Sequence, residues 1–214
     1  MKKYFFLDGM PRSGNTLLST ILNQNPDIQT SANSLVMGLL HKIHSSKSID
    51  LFNNFPDHKS LDNVIKGIIP NYYKDWNYKY IIDRSNVGLS NTLAVLDKYL
   101  NNDLKVIVLN RKFEDIISSF FKAHKNWNLP QENQLQHLLR HNGLIHKAAT
   151  SIKVLKQPQY KNITHFVMYE DLVSNPEKVI NGIYEFLEIP KYTHYFTNLK
   201  KFSANGLTYK EDWY

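Results

Sequence analysis

Lys3-Tyr4-Phe5-Phe6-Leu7-Asp8-Gly9-Met10-Pro11-Arg12-Ser13-Gly14-Asn15-Thr16-Leu17-Leu18 carries three structural signals in succession. Lys3–Leu7 is a short aromatic and apolar run that reads as a buried strand. Leu17, Leu18, Ile21 and Leu22 have the apolar spacing of a helix. The glycine-containing turn between them is the arrangement in which backbone N–H groups and a helix N-terminus gather around a phosphate. Gly9, Gly14 and Thr16 are spaced as in the loop GxxxxGK[ST], with Asn15 where the lysine belongs. A nucleoside triphosphatase needs that lysine on the β- and γ-phosphates, so its loss points away from ATP or GTP hydrolysis. The cation lies inside the loop instead, as Arg12, whose fork of donors suits a phosphate or sulfate.

Working outward, similar apolar runs recur at Tyr78–Ile82, Lys105–Leu109 and Thr164–Met168. Helical spacing appears at Leu89, Leu93, Leu96 and Leu100, at Ile116, Ile117, Phe120 and Phe121, and at Val179, Ile180, Ile183, Phe186 and Leu187. Ser174-Asn175-Pro176-Glu177 predicts the start of the last of these helices, with Ser174 as its capping residue. Strands alternating with helices predict an α/β fold, a P-loop-like, mainly parallel sheet flanked by helices, in a single domain over 1–214. Two insertions interrupt the pattern. The stretch 25–77, rich in Asn and Ser, is predicted to hold helices and loops over the sheet edge, and 126–159 to form a helical insertion with a run over Leu135–Leu155. Part of the aromatic and polar tail, Lys191–Tyr214, is placed as a loop over the site.

The 26 Lys and Arg against 19 Asp and Glu give a net charge of +7, which favours anionic ligands without choosing among them. The cations are scattered rather than gathered into basic blocks with aromatic residues, which argues against a nucleic-acid partner. No window approaches the roughly 18 continuous apolar residues of a membrane span, and the apolar start ends at Asp8, too early for a secretory signal. With no cysteine there is no disulfide or thiolate metal site, and a reducing compartment, the cytoplasm, is expected.

Pro11-Arg12-Ser13-Gly14-Asn15-Thr16 resembles the 5′-phosphosulfate loop of the sulfotransferase superfamily, especially its microbial and tyrosylprotein-type branches, which commonly read PRSGTT or PRSGST. Asn15 is the departure, and its side chain still offers donors. That family follows a later strand with an arginine and, eight residues on, a serine, both holding the 3′-phosphate of the nucleotide. Val106-Ile107-Val108-Leu109-Asn110-Arg111 followed by Ser119 matches. Met168-Tyr169-Glu170-Asp171-Leu172, Asn175-Pro176-Glu177 and Phe186-Leu187-Glu188-Ile189-Pro190 are similar to a third family segment, whose tyrosine lies near the nucleotide. The resemblance spans residues 3–30, 78–125 and 164–190.

It implies an enzyme that moves a sulfuryl group from 3′-phosphoadenosine 5′-phosphosulfate (PAPS) to an acceptor hydroxyl or amine, releasing 3′-phosphoadenosine 5′-phosphate (PAP) without a metal. Arg12, Ser13, Gly14, Asn15, Thr16, Arg111, Ser119 and Tyr169 are then the nucleotide contacts, with Arg12 serving the leaving group. The lysine that the family places after its second core strand corresponds to Arg84, although Asp83 and Arg84 can equally form a structural ion pair. The tyrosylprotein branch takes its base from a glutamate after the first helix. Here that stretch reads Gln29-Thr30-Ser31-Ala32-Asn33-Ser34, without a carboxylate, so His41 is the candidate base, with His44 and Asp83 beside it. A P-loop nucleotide kinase or a catalytically silent nucleotide-binding relative are the alternatives. The acceptor, whether carbohydrate, peptide, lipid or small alcohol, and the oligomeric state are not written in the sequence. The acceptor pocket is expected from residues 33–75, the helical insertion and the tail.

Overall fold

A computed structural model describes residues 2–89, 92–100, 104–123 and 130–208. Its elements run β1 (Lys3–Gly9), α1 (Asn15–Leu22), β2 (Ile28–Asn33), α2 (Val36–Ser45), α3 (Asp50–Asn54), α4 (His58–Tyr72), β3 (Tyr80–Arg84), α5 (Thr92–Leu100), β4 (Val106–Asn110), α6 (Phe113–Ala123), α7 (Gln131–Leu139), α8 (Leu144–Leu155), β5 (Thr164–Met168), α9 (Tyr169–Ser174), α10 (Pro176–Leu187), β6 (Ser203–Ala204) and β7 (Leu207–Thr208). Among the described residues, β2-β3-β1-β4-β5 form one sheet in that order, every pairing parallel. The predicted P-loop-like, mainly parallel α/β domain is therefore present.

The alternation of strand residues separates two cores. Phe6, Ile81, Val106 and Val108 face α2, α4, α5 and α8, whereas Phe5, Leu7, Ile82, Ile107 and Leu109 face α1 and α10. With both faces covered, the strands β1, β3 and β4 read as nearly continuous apolar runs, as parallel strands do. Each fully buried side chain of this kind contributes about 1.5–3 kcal/mol.

The stretch 25–77 was expected to carry helices and loops, and it also contributes the strand β2. Its residues Gln29, Thr30 and Ser31 are buried yet polar, so no apolar run announces it. Their hydrogen bonds are satisfied locally: Asn23 Oδ1 accepts from the Thr30 amide at 2.7 Å and hydroxyl at 2.9 Å, and Ser31 Oγ accepts from the Arg84 amide at 2.8 Å. The run expected over Leu135–Leu155 is divided into α7 and α8, because Arg140 turns extended and Asn142 adopts φ 58° before Gly143 starts the second helix. Asn126 to Leu129 of that insertion lie outside the described residues. Asn175, not Ser174, precedes Pro176 as the first flanking residue of α10, while Ser174 ends α9. No helix among the described residues is long and apolar enough to cross a membrane.

The segment after α10 packs beside β2 and α1. Gln24 Oε1 accepts from the Tyr195 amide at 2.8 Å, and Ser203 O accepts from Asn23 Nδ2 and Gln29 Nε2 at 3.3 and 3.4 Å. None of its described residues lines the cleft, so the tail through Thr208 is a strap along the sheet edge rather than a loop over the site. Residues 209–214 lie outside the described residues.

Candidate active site

The strand order reverses around β1, and the carboxyl ends of β1, β3 and β4 open there into a cleft of about 600 Å³, within the roughly 300–1,000 Å³ of small-molecule sites. The phosphate loop forms its floor. Gly14 flanks α1 at φ 95°, with no side-chain cap on the first turn, so the helix N-terminal amides are left for a ligand. A side chain at Gly14 would also meet the Tyr169 ring at 2.5 Å. At Gly9, a Cβ would come within 2.5 Å of the Leu109 carbonyl oxygen, so the loop lies directly against β4. Arg12 takes φ 63°, a left-handed turn for a non-glycine residue that throws its side chain across the cleft.

Three arginines line the cleft. Arg12 Nε donates to Ser119 Oγ on α6 at 3.2 Å, and Arg111 donates to the Arg12 carbonyl oxygen at 3.1 Å. The Arg111 guanidinium stacks over the Tyr169 ring with Cζ 4.2 Å from its centroid. Its Nε is buried without a hydrogen-bond partner among the described residues, a donor a bound anion would satisfy. Arg84, at the end of β3, donates to Thr16 Oγ1 at 3.3 Å. Arg12, Arg111, Ser119 and Tyr169 thus form one cluster and Arg84 with Thr16 another, at opposite ends of the loop.

Two of the loop residues turn inward. Ser13 is fully buried, its Oγ donating to Met10 O at 2.6 Å and to Leu109 O at 3.2 Å, so only its backbone belongs to the loop. Asn15 Nδ2 is spent on Met10 O at 3.0 Å, which makes this side chain a latch inside the loop at the position of the missing lysine. His41 is exposed on α2 and does not line the cleft, and neither does His44. Both histidines do lie on the helix after β2, but the face of α2 that reaches the cleft presents Met37.

Asp83 does not pair with Arg84. It faces the opposite side of β3, buried at 1% exposure, and accepts from Ser34 Oγ at 2.5 Å and from the hydroxyls of Ser85 and Tyr73. Burial raises its pKa, and the three hydroxyl bonds pull it partly back. The cleft wall beside it is made of Ser34, Met37, Ser85, Leu89, Leu144 and Ala148, from the two insertions and the segment after β3. Ser34, Met37, Leu144 and Ala148 come from the stretches expected to line an acceptor pocket, whereas Ser85 and Leu89, after β3, lie outside them. A second buried carboxylate, Asp8, holds this wall: it accepts from the Val87 amide at 2.9 Å and Ser151 Oγ at 2.5 Å, and Ser151 Oγ accepts from Gly88 N at 2.7 Å.

A parallel α/β sheet with a glycine-containing loop at its switch point, flanked by arginines from three strand ends, has the build of a nucleotide-binding fold with room for anionic groups. Residues 2–212 match the family described as the sulfotransferase domain. The chain belongs to the sulfotransferase family, and it is a transferase that moves a sulfuryl group from PAPS to an acceptor. Among similar solved structures is a sulfotransferase from Alicyclobacillus acidocaldarius, 13% identical with a TM-score of 0.62 over 92% of this chain and 85% of that one. The sulfotransferase domain of the Synechococcus PCC 7002 olefin synthase is 21% identical, with a TM-score of 0.59 over 90% of this chain and 74% of that one. A mouse sulfotransferase in complex with PAP is 15% identical, with a TM-score of 0.54 over 90% of this chain and 60% of that one. At these identities the likeness is one of fold. Among curated proteins, none matches the chain.

Proposed function

We propose that the cleft binds PAPS with its two anionic ends at the two arginine clusters and transfers the sulfuryl group to an acceptor hydroxyl entering past Ser34 and Ser85. The convergence of Arg12, Arg111 and Ser119 beside the Tyr169 ring carries this reading. It is a compact anion site beside Gly14, set apart from the Arg84–Thr16 pair at the other end of the loop, which suits a nucleotide with a separate 3′-phosphate. Arg111 supplies the fork, Ser119 a hydroxyl and Arg12 a second guanidinium. Tyr169 holds the Arg111 plane and lies against Gly14. The 5′-phosphosulfate then occupies the amides of residues 14–16, with Thr16 Oγ1 and Arg84 beside it.

In that arrangement the acceptor oxygen attacks sulfur as the sulfur–oxygen bond to the phosphate breaks, and negative charge grows on the departing phosphate oxygen. Arg84 and the loop amides sit where that charge develops, so their contribution is positioning and electrostatic stabilisation. Asn15, bonded to Met10 O, cannot stand in for a triphosphate lysine, which distinguishes this loop from that of a nucleotide kinase.

Thermal shift with PAP, with ATP plus Mg²⁺, and with neither tests the assignment, because a ligand of the native state raises the melting temperature according to its affinity. PAP alone is expected to stabilise the protein. Stabilisation by ATP with Mg²⁺ and not by PAP would refute it.

A further inference from the structure

Transfer to a hydroxyl releases a proton, and among the described residues lining the cleft there is no carboxylate and no imidazole. Two lining hydroxyls, however, have a carboxylate directly behind them. Asp83 Oδ2 accepts from Ser34 Oγ and from the Tyr73 hydroxyl at the end of α4, and Oδ1 accepts from Ser85 Oγ. Three hydroxyls aimed at two oxygens is the pattern of an ionised carboxylate, since a protonated one would donate a bond itself. The groups facing Asp83 are thus Ser34 from the β2–α2 turn, Tyr73 just after α4 and Ser85 just after β3.

The two serines are not equivalent. Ser34 Oγ also accepts from the Val36 amide at 3.2 Å, which ties it to the start of α2. Ser85 Oγ has Asp83 as its only hydrogen-bond partner among the described residues, so its lone pairs are left to the cleft. Ser85 also follows Arg84, whose guanidinium reaches Thr16 on the phosphate loop, and both residues line the same cleft.

We propose that Ser85 takes the acceptor's proton and that Asp83 is the buried sink behind it. As the acceptor oxygen bonds to sulfur and the electron pair of the breaking sulfur–oxygen bond leaves with the phosphate, the acceptor proton moves to Ser85 Oγ. The proton of Ser85 moves in the same step to Asp83 Oδ1, and after product release the extra proton leaves through Ser85 Oγ to water in the opened cleft. Burial favours the protonated form of Asp83, which makes it a better proton acceptor than a solvated carboxylate. The inference rests on PAPS occupying the cleft as proposed above.

Running the reaction backwards tests it with defined probes. PAP and an aryl sulfate regenerate PAPS, and the forward base becomes the reverse acid. Phenyl sulfate expels a strongly basic phenolate that needs the proton, whereas 4-nitrophenyl sulfate expels a weakly basic one. Asp83→Asn and Ser85→Ala are expected to lower turnover of phenyl sulfate by roughly 10²–10³-fold and of 4-nitrophenyl sulfate by less than about 10-fold, with PAP affinity within about twofold of wild type. Equal losses with both esters would mean a purely structural role and overturn the relay. So would a wild-type protein that binds PAP but transfers from neither ester. If wild type fails to bind PAP, the placement of the nucleotide fails first, which separates the two outcomes. Should Asp83→Asn not fold, Ser85→Ala with a thermal melt decides alone.

Discussion

The Arg111 guanidinium lies 4.2 Å above the centre of the Tyr169 ring while donating to the carbonyl oxygen of Arg12. Side chain, ring and loop backbone therefore fix one another, and the remaining donors of Arg111 are held for an anion. Arg111→Ala is expected to weaken PAP by about 1.5–3 kcal/mol, on the order of 10- to 150-fold, read by calorimetry. Arg111→Lys should recover little, because an ammonium neither forks nor stacks in the same way. Full recovery by lysine would mean that charge alone suffices.

Gly14→Ala meets two obstacles, a φ of 95° and the Tyr169 ring at 2.5 Å from the added methyl. A loss of about 1–3 kcal/mol in unfolding free energy is expected, together with loss of the PAP-induced thermal shift. The double variant with Tyr169→Ala should regain part of the stability by removing the clash. If the single variant binds PAP normally, the loop is more forgiving than its geometry indicates.

Asp8 makes stability depend on pH. Burial pushes its pKa up to about 6 from 3.8, against the hydrogen bonds from Ser151, Gly9 and Val87. The folded state therefore holds a proton that the unfolded chain has released, and that stabilisation is complete below pH 3.8 and lost as pH rises through about 6. Asp8→Asn does not titrate, so urea denaturation should show wild type losing up to about 3 kcal/mol relative to the variant across this window. Parallel curves for the two proteins would contradict the burial argument.

Tyr73→Phe removes one of three donors to Asp83 from a buried position. A destabilisation of about 1.5–3 kcal/mol is expected, as for a bond to a charged group. With less support for its charged form, Asp83 should ionise at higher pH, so the alkaline limb of the reverse-transfer rate, where Asp83 has lost the proton it donates, should move upward in pH. An unmoved limb would detach Asp83 from the proton path.

What could be read in advance followed the physics of burial. The strands β1, β3 and β4 carry their fold in apolar side chains, and the phosphate loop in glycine spacing, so both were legible. β2 was not, because Gln29, Thr30 and Ser31 are buried with hydrogen-bonding partners rather than apolar neighbours. Within the loop, residue identities revealed the ligand class but not side-chain direction. Ser13 and Asn15 carry the donors expected of ligand contacts, yet both bond to the Met10 carbonyl oxygen inside the turn. The candidate bases were legible as residues but not in their placement. His41 suits the chemistry but is exposed on α2, whereas Asp83, also a candidate, is buried and meets the cleft only through the hydroxyls of Ser34 and Ser85 from separate segments.

The strap after α10 has a consequence for solubility. β2 borders the sheet, and such a border can recruit a strand from another molecule. Ser203 O, held by Asn23 and Gln29, keeps this chain's own backbone there instead. A protein shortened after Ile189 would present that border to its neighbours, and self-association rather than loss of PAP affinity would be the first symptom.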